Sequence, residues 1–428
     1  MTRRSLLPIA GAGVALLAAL PALLPAGLLN AAIQMLIAAL FACAYSLLSG
    51  RAGMLSFGHA AYFGVGAFAT VHAMNALGGS GLLPTPLLPL VGALAGLAFG
   101  VVAGWFATQR SGTTFAMITL AIAELLHALA PQLKGWFGGE SGISSMRMPA
   151  WGLSFGSTEQ VYYLTLVWVL LGLAVLYAHA ATPLGRLTLG LRENPQRLRF
   201  LGYDSHGLAV SAFALSAMLS GIAGALQTLS NEAVNYVVFD AGVSASVVLN
   251  SYIGGVGTFL GPALGAALMT FFSYAVSDAT QSWLLYQGIL FVLVMMVLPT
   301  GLTGLGSTTA RLVERHGAMA VLPLVVLAIG ATLLLAAGTV FVVEAAQRLF
   351  SQDYRALARM APALPPISMF GRAWAPTAAL TWLVPAALLA AGAALAWLAR
   401  LRHAALVARS SPAAAEPIAR AASSSAAP

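Results

Sequence analysis

His59, Glu124 and Asn250 stand out because each places a polar or ionisable group within a run of apolar residues. Such a side chain is costly in lipid, so each must face a cavity, a neighbouring helix or the bilayer edge. His59 has two readings: a residue on a solute pathway, or a histidine bonded to the next helix. Glu124 is followed three positions later by His127, so one helical face carries both. That pair lines a cavity or lies at the membrane interface near the end of its run. Two ligands are too few to argue for a metal site. Asn250 either projects into a cavity or bonds across helices. The sole lysine, Lys134, lies in QLKGW, and no G-x-x-x-x-G-K-[ST] occurs, so the sequence offers no ATP site. HExxH, CxxC and GxSxG are also missing. Nothing here calls for an enzyme, a resident cofactor or a metal.

A second concentration of chemistry is the polar stretch Leu191–Ser205, LRENPQRLRFLGYDS. It carries Arg192, Glu193, Arg197, Arg199 and Asp204 in a chain with only 7% charged residues. Its local code predicts one short helix. Asn194 can cap it and Pro195 suits the first helical position. Glu193 lies beside the positive helix start, and Gly202 can end the helix in a left-handed turn. Leu198 and Leu201 are three apart and are expected to share a face that a partner could cover. The segment is either a handle gripped by another subunit or a solvated loop that fixes topology.

The elements that hold these residues follow from composition. The 428 residues are 60% hydrophobic, with a mean hydropathy of +0.88. No soluble fold buries that much apolar surface, so the expected class is all-α: a polytopic helical membrane protein. The apolar runs imply about 10–12 transmembrane spans. The net charge of +8 and pI near 10 are explained by the positive-inside rule, without nucleic acid. Cys43, the one cysteine, can form no intrachain disulfide.

The first run, Leu6–Leu29, follows Arg3-Arg4 and reads as an uncleaved span rather than a signal peptide. After a second run comes a stretch at 50–74 with glycines at 50, 53, 58, 64 and 66. It either packs very closely or unwinds to present backbone to a cavity. A looser echo follows: Gly254-Gly255, Gly257, Gly261-Pro262 and Gly265 break a later run into two pieces. Paired broken segments in two halves often flank a translocation site. Between them, Ser216, Ser220 and Gly224 form a stripe suited to close helix packing. The expected divisions are a core at 1–305, an extension at 306–400 with two further spans, and a disordered cytoplasmic tail at 401–428. With an inner N-terminus, Arg51, Arg110, Arg186, Arg192, Arg197 and Arg199 fall on the inner face, and 131–159 faces outward.

Five blocks resemble the permease subunits of branched-chain amino acid ABC transporters, of the LivM type within the LivH/LivM group. YSLLSGRAGMLSFGHAAYFGVGAF at 45–68, TFAMITLAIAELL at 114–126, GGESGI at 138–143, RENPQRLRFLGYD at 192–204 and IGGVGTFLGPALGAAL at 253–268 stand in family order. Departures fall at Arg51, Leu198, Ser246 and Asn250. The resemblance implies a bacterial inner-membrane importer subunit for branched-chain or hydrophobic amino acids. It implies coupling through the cytoplasmic loop 186–207, with Arg192, Glu193, Asn194 and Gly202 at the docking positions. Implied partners are ATP-binding cassette subunits, a second permease of the LivH type, a periplasmic substrate-binding protein and the lipid bilayer. Urea or short amides as solute, or an ion gradient as driving force, are the alternatives.

Overall fold

Uninterrupted apolar runs satisfy their own backbone groups only as helices when no water is at hand, and helices dominate this chain. The computed structural model describes residues 3–78, 82–277, 280, 282–298, 300–360 and 364–409. These fall into two compact units, Met1–Ala279 with Tyr286–Gly304, and Thr280–Leu285 with Leu305–Pro428.

In chain order the first unit contains α1 (Arg3–Leu23), α2 (Ala26–Ser46), α3 (His59–Leu77), α4 (Pro89–Ala107), α5 (Gly112–Leu129) and the short α6 (Lys134–Phe137). Strand β1 (Ile143–Ser144) and then α7 (Thr158–Ala181), α8 (Pro183–Glu193), α9 (Pro195–Phe200) and α10 (Ser205–Asn231) follow. Strand β2 (Ala233–Val234), α11 (Ala241–Gly254), α12 (Gly261–Ser277) and α13 (Trp283–Val297) come next, and α14 (Gly301–His316) leads onward. The second unit has α15 (Ala318–Phe350), α16 (Gln352–Met360), β3 (Ile367–Met369), β4 (Arg372–Trp374) and α17 (Ala379–Arg409).

Seven helical stretches among the described residues are long and apolar enough to cross a membrane, or up to eight if the bent pair α13–α14 is one span. They are α2, α4, α5, α7, α10, α15 and α17, with α2 and α4 extended by flanking turns. The other expected crossings fall on α1, α3, α11, α12 and α13, which are shorter, richer in polar residues or broken at glycine. Helix α17 continues to Arg409, beyond the expected start of the tail, and 410–428 lie outside the described residues.

Helix α10 is the centre of the first unit. Of its spanning window 78% is buried inside the protein, against 22% for α5. Between apolar helices in lipid there is little hydrophobic driving force, so small residues that permit close backbone approach decide the packing. A methyl on Gly221 of α10 would lie 2.2 Å from the Gly92 carbonyl oxygen of α4, and one on Gly224 would lie 1.9 Å from that of Phe63 in α3. The predicted stripe continues at Ser216, whose hydroxyl donates to the Ala44 carbonyl of α2 at 2.6 Å. At about 1.5 Å per residue the 27 residues of α10 reach roughly 40 Å, a full membrane thickness. One end adjoins α9. The other adjoins β2, which pairs with β1 from the 131–159 segment. There Arg147 pairs with Glu232 at 3.3 Å and donates to the Leu229 and Ser230 carbonyls, tying that segment to the helix end.

In the second unit α15 and α17 pack as a pair. Leu389 seats on Gly338 and Leu335 on Gly392. The β3–β4 hairpin turns at Phe370-Gly371, both with positive φ, as a two-residue turn of the mirror-image type requires. Trp374 meets Phe341 edge-on at 4.9 Å.

Candidate functional site

Two breaks in the helices of the first unit come together against α8. The first begins where α2 widens into a π-turn at Leu47–Ala52. Gly53 ends the turn with φ +72°, and the chain stays non-helical until α3 starts at His59. Unwinding frees backbone amides, and each needs a partner. Phe57 N–H donates to the Thr119 hydroxyl of α5 at 3.2 Å, Gly58 N–H to Ser56 at 3.3 Å, and Ala60 N–H to Ser244 of α11 at 2.9 Å.

His59 closes this arrangement. It is 1% exposed. Because the Ser216 hydroxyl spends its proton on Ala44, its oxygen is left to accept from Nε2–H of His59 at 2.9 Å. Nδ1 then accepts from the Ser56 hydroxyl at 3.0 Å. Both ring nitrogens are satisfied, and the imidazole meets Tyr45 and Tyr62 edge-on at 5.0 and 5.8 Å. His59 therefore pins the unwound strand between α2 and α10.

The second break runs from Gly255, with φ +105°, to Leu260. Threonine side chains hold it. Thr303 donates to Gly254, and Thr258 donates to Thr303 at 3.1 Å. Helices α11 and α12 fold back at very short range, since a methyl on Gly265 would lie 2.2 Å from the Asn250 carbonyl oxygen. Asn250 is 9% exposed and its Oδ1 has no hydrogen-bond partner. The two breaks touch: a methyl on Gly50 would lie 2.4 Å from the Val256 carbonyl oxygen.

The polar elbow is built as two helices rather than one. Thr182 caps α8 through Gly185 N–H at 3.1 Å. Asn194 ends α8 and caps α9, its Oδ1 accepting from Arg197 N–H at 3.0 Å, with Pro195 following. Gly202, φ +85°, closes α9 as expected: Tyr203 N–H reaches the Leu198 carbonyl and Gly202 N–H that of Arg199, each at 3.0 Å. Leu198 and Leu201 differ in burial. Leu198 is buried with Leu191, Leu208 and Ala209, while Leu201 lies at the cap, exposed beside Phe200 at 91%. Arg192, Glu193 and Asn194 are all exposed, and Arg192 reaches back so that its Nη1 donates to the Gly50 carbonyl at 2.6 Å. Gly53 packs on the same side chain, 2.9 Å separating a methyl there from Arg192 Cγ. Spacing gave no sign of this clasp between elbow and first break.

Glu124 lies apart from these residues. Its side chain is 48% exposed and 4.0 Å from His127 Nδ1, and His127 Nε2 is 3.9 Å from Asp240. Asp240 starts α11 and Asn250 lies near its other end, so Glu124 and Asn250 belong to different depths. Arg147 and Glu232 went unnoticed in the sequence because nothing in their spacing links residues so far apart.

The family described as branched-chain amino acid transport system / permease component matches residues 27–299. The chain is 28% identical over 293 residues to the high-affinity branched-chain amino acid transport system permease protein LivM of Escherichia coli (strain K12), covering 63% of this chain and 68% of that relative. It is 22% identical over 289 residues to the corresponding permease protein LivH of Salmonella typhimurium, covering 62% and 91%. It is 23% identical over 291 residues to the permease protein BraD of Pseudomonas aeruginosa, covering 62% and 91%. No solved structure matches.

Proposed function

The chain belongs to the branched-chain amino acid transport permease family, and from that premise we propose that it is a membrane subunit of an ATP-driven importer for branched-chain or hydrophobic amino acids. It works in the bacterial inner membrane beside a second permease of the LivH type. Residues 1–305 are the permease core and 306–400 an extension to it. The chain supplies the gate and hydrolyses nothing itself. Separate ATP-binding cassette subunits dock on the cytoplasmic elbow within 186–207, through Glu193, Asn194 and the α9 end at Gly202. A periplasmic binding protein delivers solute to the 131–159 side.

One observation carries the coupling: Arg192 of the elbow holds the Gly50 carbonyl, and Gly50 lies against the second break at Val256. A push on α9 moves α8, and α8 moves both breaks at once. Asn250, next to the second break, faces the solute in this scheme, Glu124 lies at the outer mouth, and His59 holds the wall between them.

Reconstitution with the two ATPase subunits and the second permease tests the reading. ATP-dependent accumulation of labelled leucine is the expected outcome. Uphill uptake by a preparation without any nucleotide-hydrolysing subunit overturns it, as does labelling of a Leu201→Cys variant from the periplasmic side.

A further inference from the structure

A cavity of about 160 Å³ lies where the two breaks meet α8, lined by Ser46, Gly50, Arg51, Arg192, Thr258 and the Cys43 thiol among others. Two cationic side chains reach it, and the lining holds no carboxylate. Among the described residues neither Arg51 nor Arg192 forms an ion pair. Arg192 is partly occupied by the Gly50 carbonyl, but Arg51 Nη1 is buried with no hydrogen-bond partner. A guanidinium donor enclosed without an acceptor is a state proteins avoid, because its desolvation is uncompensated. The fork of N–H groups on Arg51 matches the paired oxygens of a carboxylate or phosphate.

We propose that this cavity is an oxyanion site on the elbow side of the core, in which Arg51 binds a carboxylate or phosphate group with support from Arg192. The Ser46 and Thr258 hydroxyls already donate, to the Cys43 carbonyl and to Thr303, so the guanidinium groups supply the binding. The anion would join the first break, the second break and α8, so its occupancy would stiffen the coupling junction. The inference rests on the cavity and its charges and holds whichever solute is transported.

The test uses the full chain, purified from membranes and placed in nanodiscs of phosphatidylcholine alone or with phosphatidylglycerol. Inorganic phosphate and acetate are titrated at constant ionic strength against chloride, with thermal unfolding as the readout and lipid retention followed by native mass spectrometry. A saturable rise in unfolding temperature in phosphatidylcholine discs assigns a free oxyanion. Selective retention of phosphatidylglycerol assigns a lipid headgroup. In either case Arg51→Gln should weaken binding about tenfold or more, the worth of one charge-assisted contact. Arg51→Lys should keep part of it and serves as the folded control. Wild-type protein with neither response, or an Arg51→Gln variant that folds and binds like wild type, overturns the proposal.

Discussion

The two helix breaks solve the same problem differently. At the first, from Gly53 to the start of α3, the amides of Phe57, Gly58 and Ala60 meet hydroxyls from Thr119, Ser56 and Ser244, and His59 bonds on both edges. At the second, from Gly255 to Leu260, two threonines hold the turn and the Asn250 amide oxygen stays unpartnered. The first break is tied by hydrogen bonds to three helices, whereas the second is held by two threonines and close backbone packing, with the unpartnered Asn250 oxygen beside it. A polar residue in a membrane helix is thus no single kind of signal. His59 spends both ring nitrogens on neighbouring hydroxyls, while the Asn250 oxygen has hydrogen-bonding capacity left over.

The sharpest way to break this contrast is to add one methyl to each break. At Gly58 it would lie 2.0 Å from the Thr119 carbonyl oxygen, whereas at Gly257 it meets nothing within 4 Å. Gly58→Ala should therefore cost about 3 kcal/mol or more, at or above the upper range for overpacking, and should be read as failed assembly or a large fall in unfolding temperature. Gly257→Ala should be near neutral in the same measurement. Equal responses would remove the distinction between the breaks.

His59→Ala comes next. It leaves a cavity and strips the Ser56 and Ser216 hydroxyls of a partner, so thermal unfolding in detergent should show a loss of about 2–4 kcal/mol. Asn250→Leu removes an oxygen with no partner, so stability should change by less than about 1 kcal/mol. Leucine uptake by that variant should nonetheless fall if Asn250 meets solute, and unchanged uptake and selectivity take it off the pathway. The smallest stability effect belongs to the elbow. Phe200→Ala alters a 91% exposed side chain and should stay within about 0.5 kcal/mol, while co-purification of the ATPase subunits drops. Full retention of those subunits would place the docking surface elsewhere.

The elbow shows how far local code reaches. Asn194, Pro195 and Gly202 are capping residues whose effects lie within a few positions, and each behaves as the sequence predicts. The two glycine-rich stretches likewise announced breaks in otherwise apolar runs. What local code left open was how Leu198 and Leu201 divide: Leu198 is buried against Leu191 and Leu208, and Leu201 is exposed. Glu124 was recognisable as anomalous, yet its half-exposed place beside His127 and Asp240 depends on how α11 enters.

Composition and periodicity alone determined that this chain is a bundle of membrane helices interrupted at two glycine-rich points, with a capped polar elbow between them. Those features arise from backbone sterics and from the cost of lipid to polar groups, which act on each segment separately. Only the tertiary structure decided that the breaks touch at Gly50 and Val256, that Arg192 reaches in to hold one of them, and that Arg51 is enclosed without an acceptor. These are meetings of residues more than a hundred positions apart, and such encounters are set by which small side chains let helices approach.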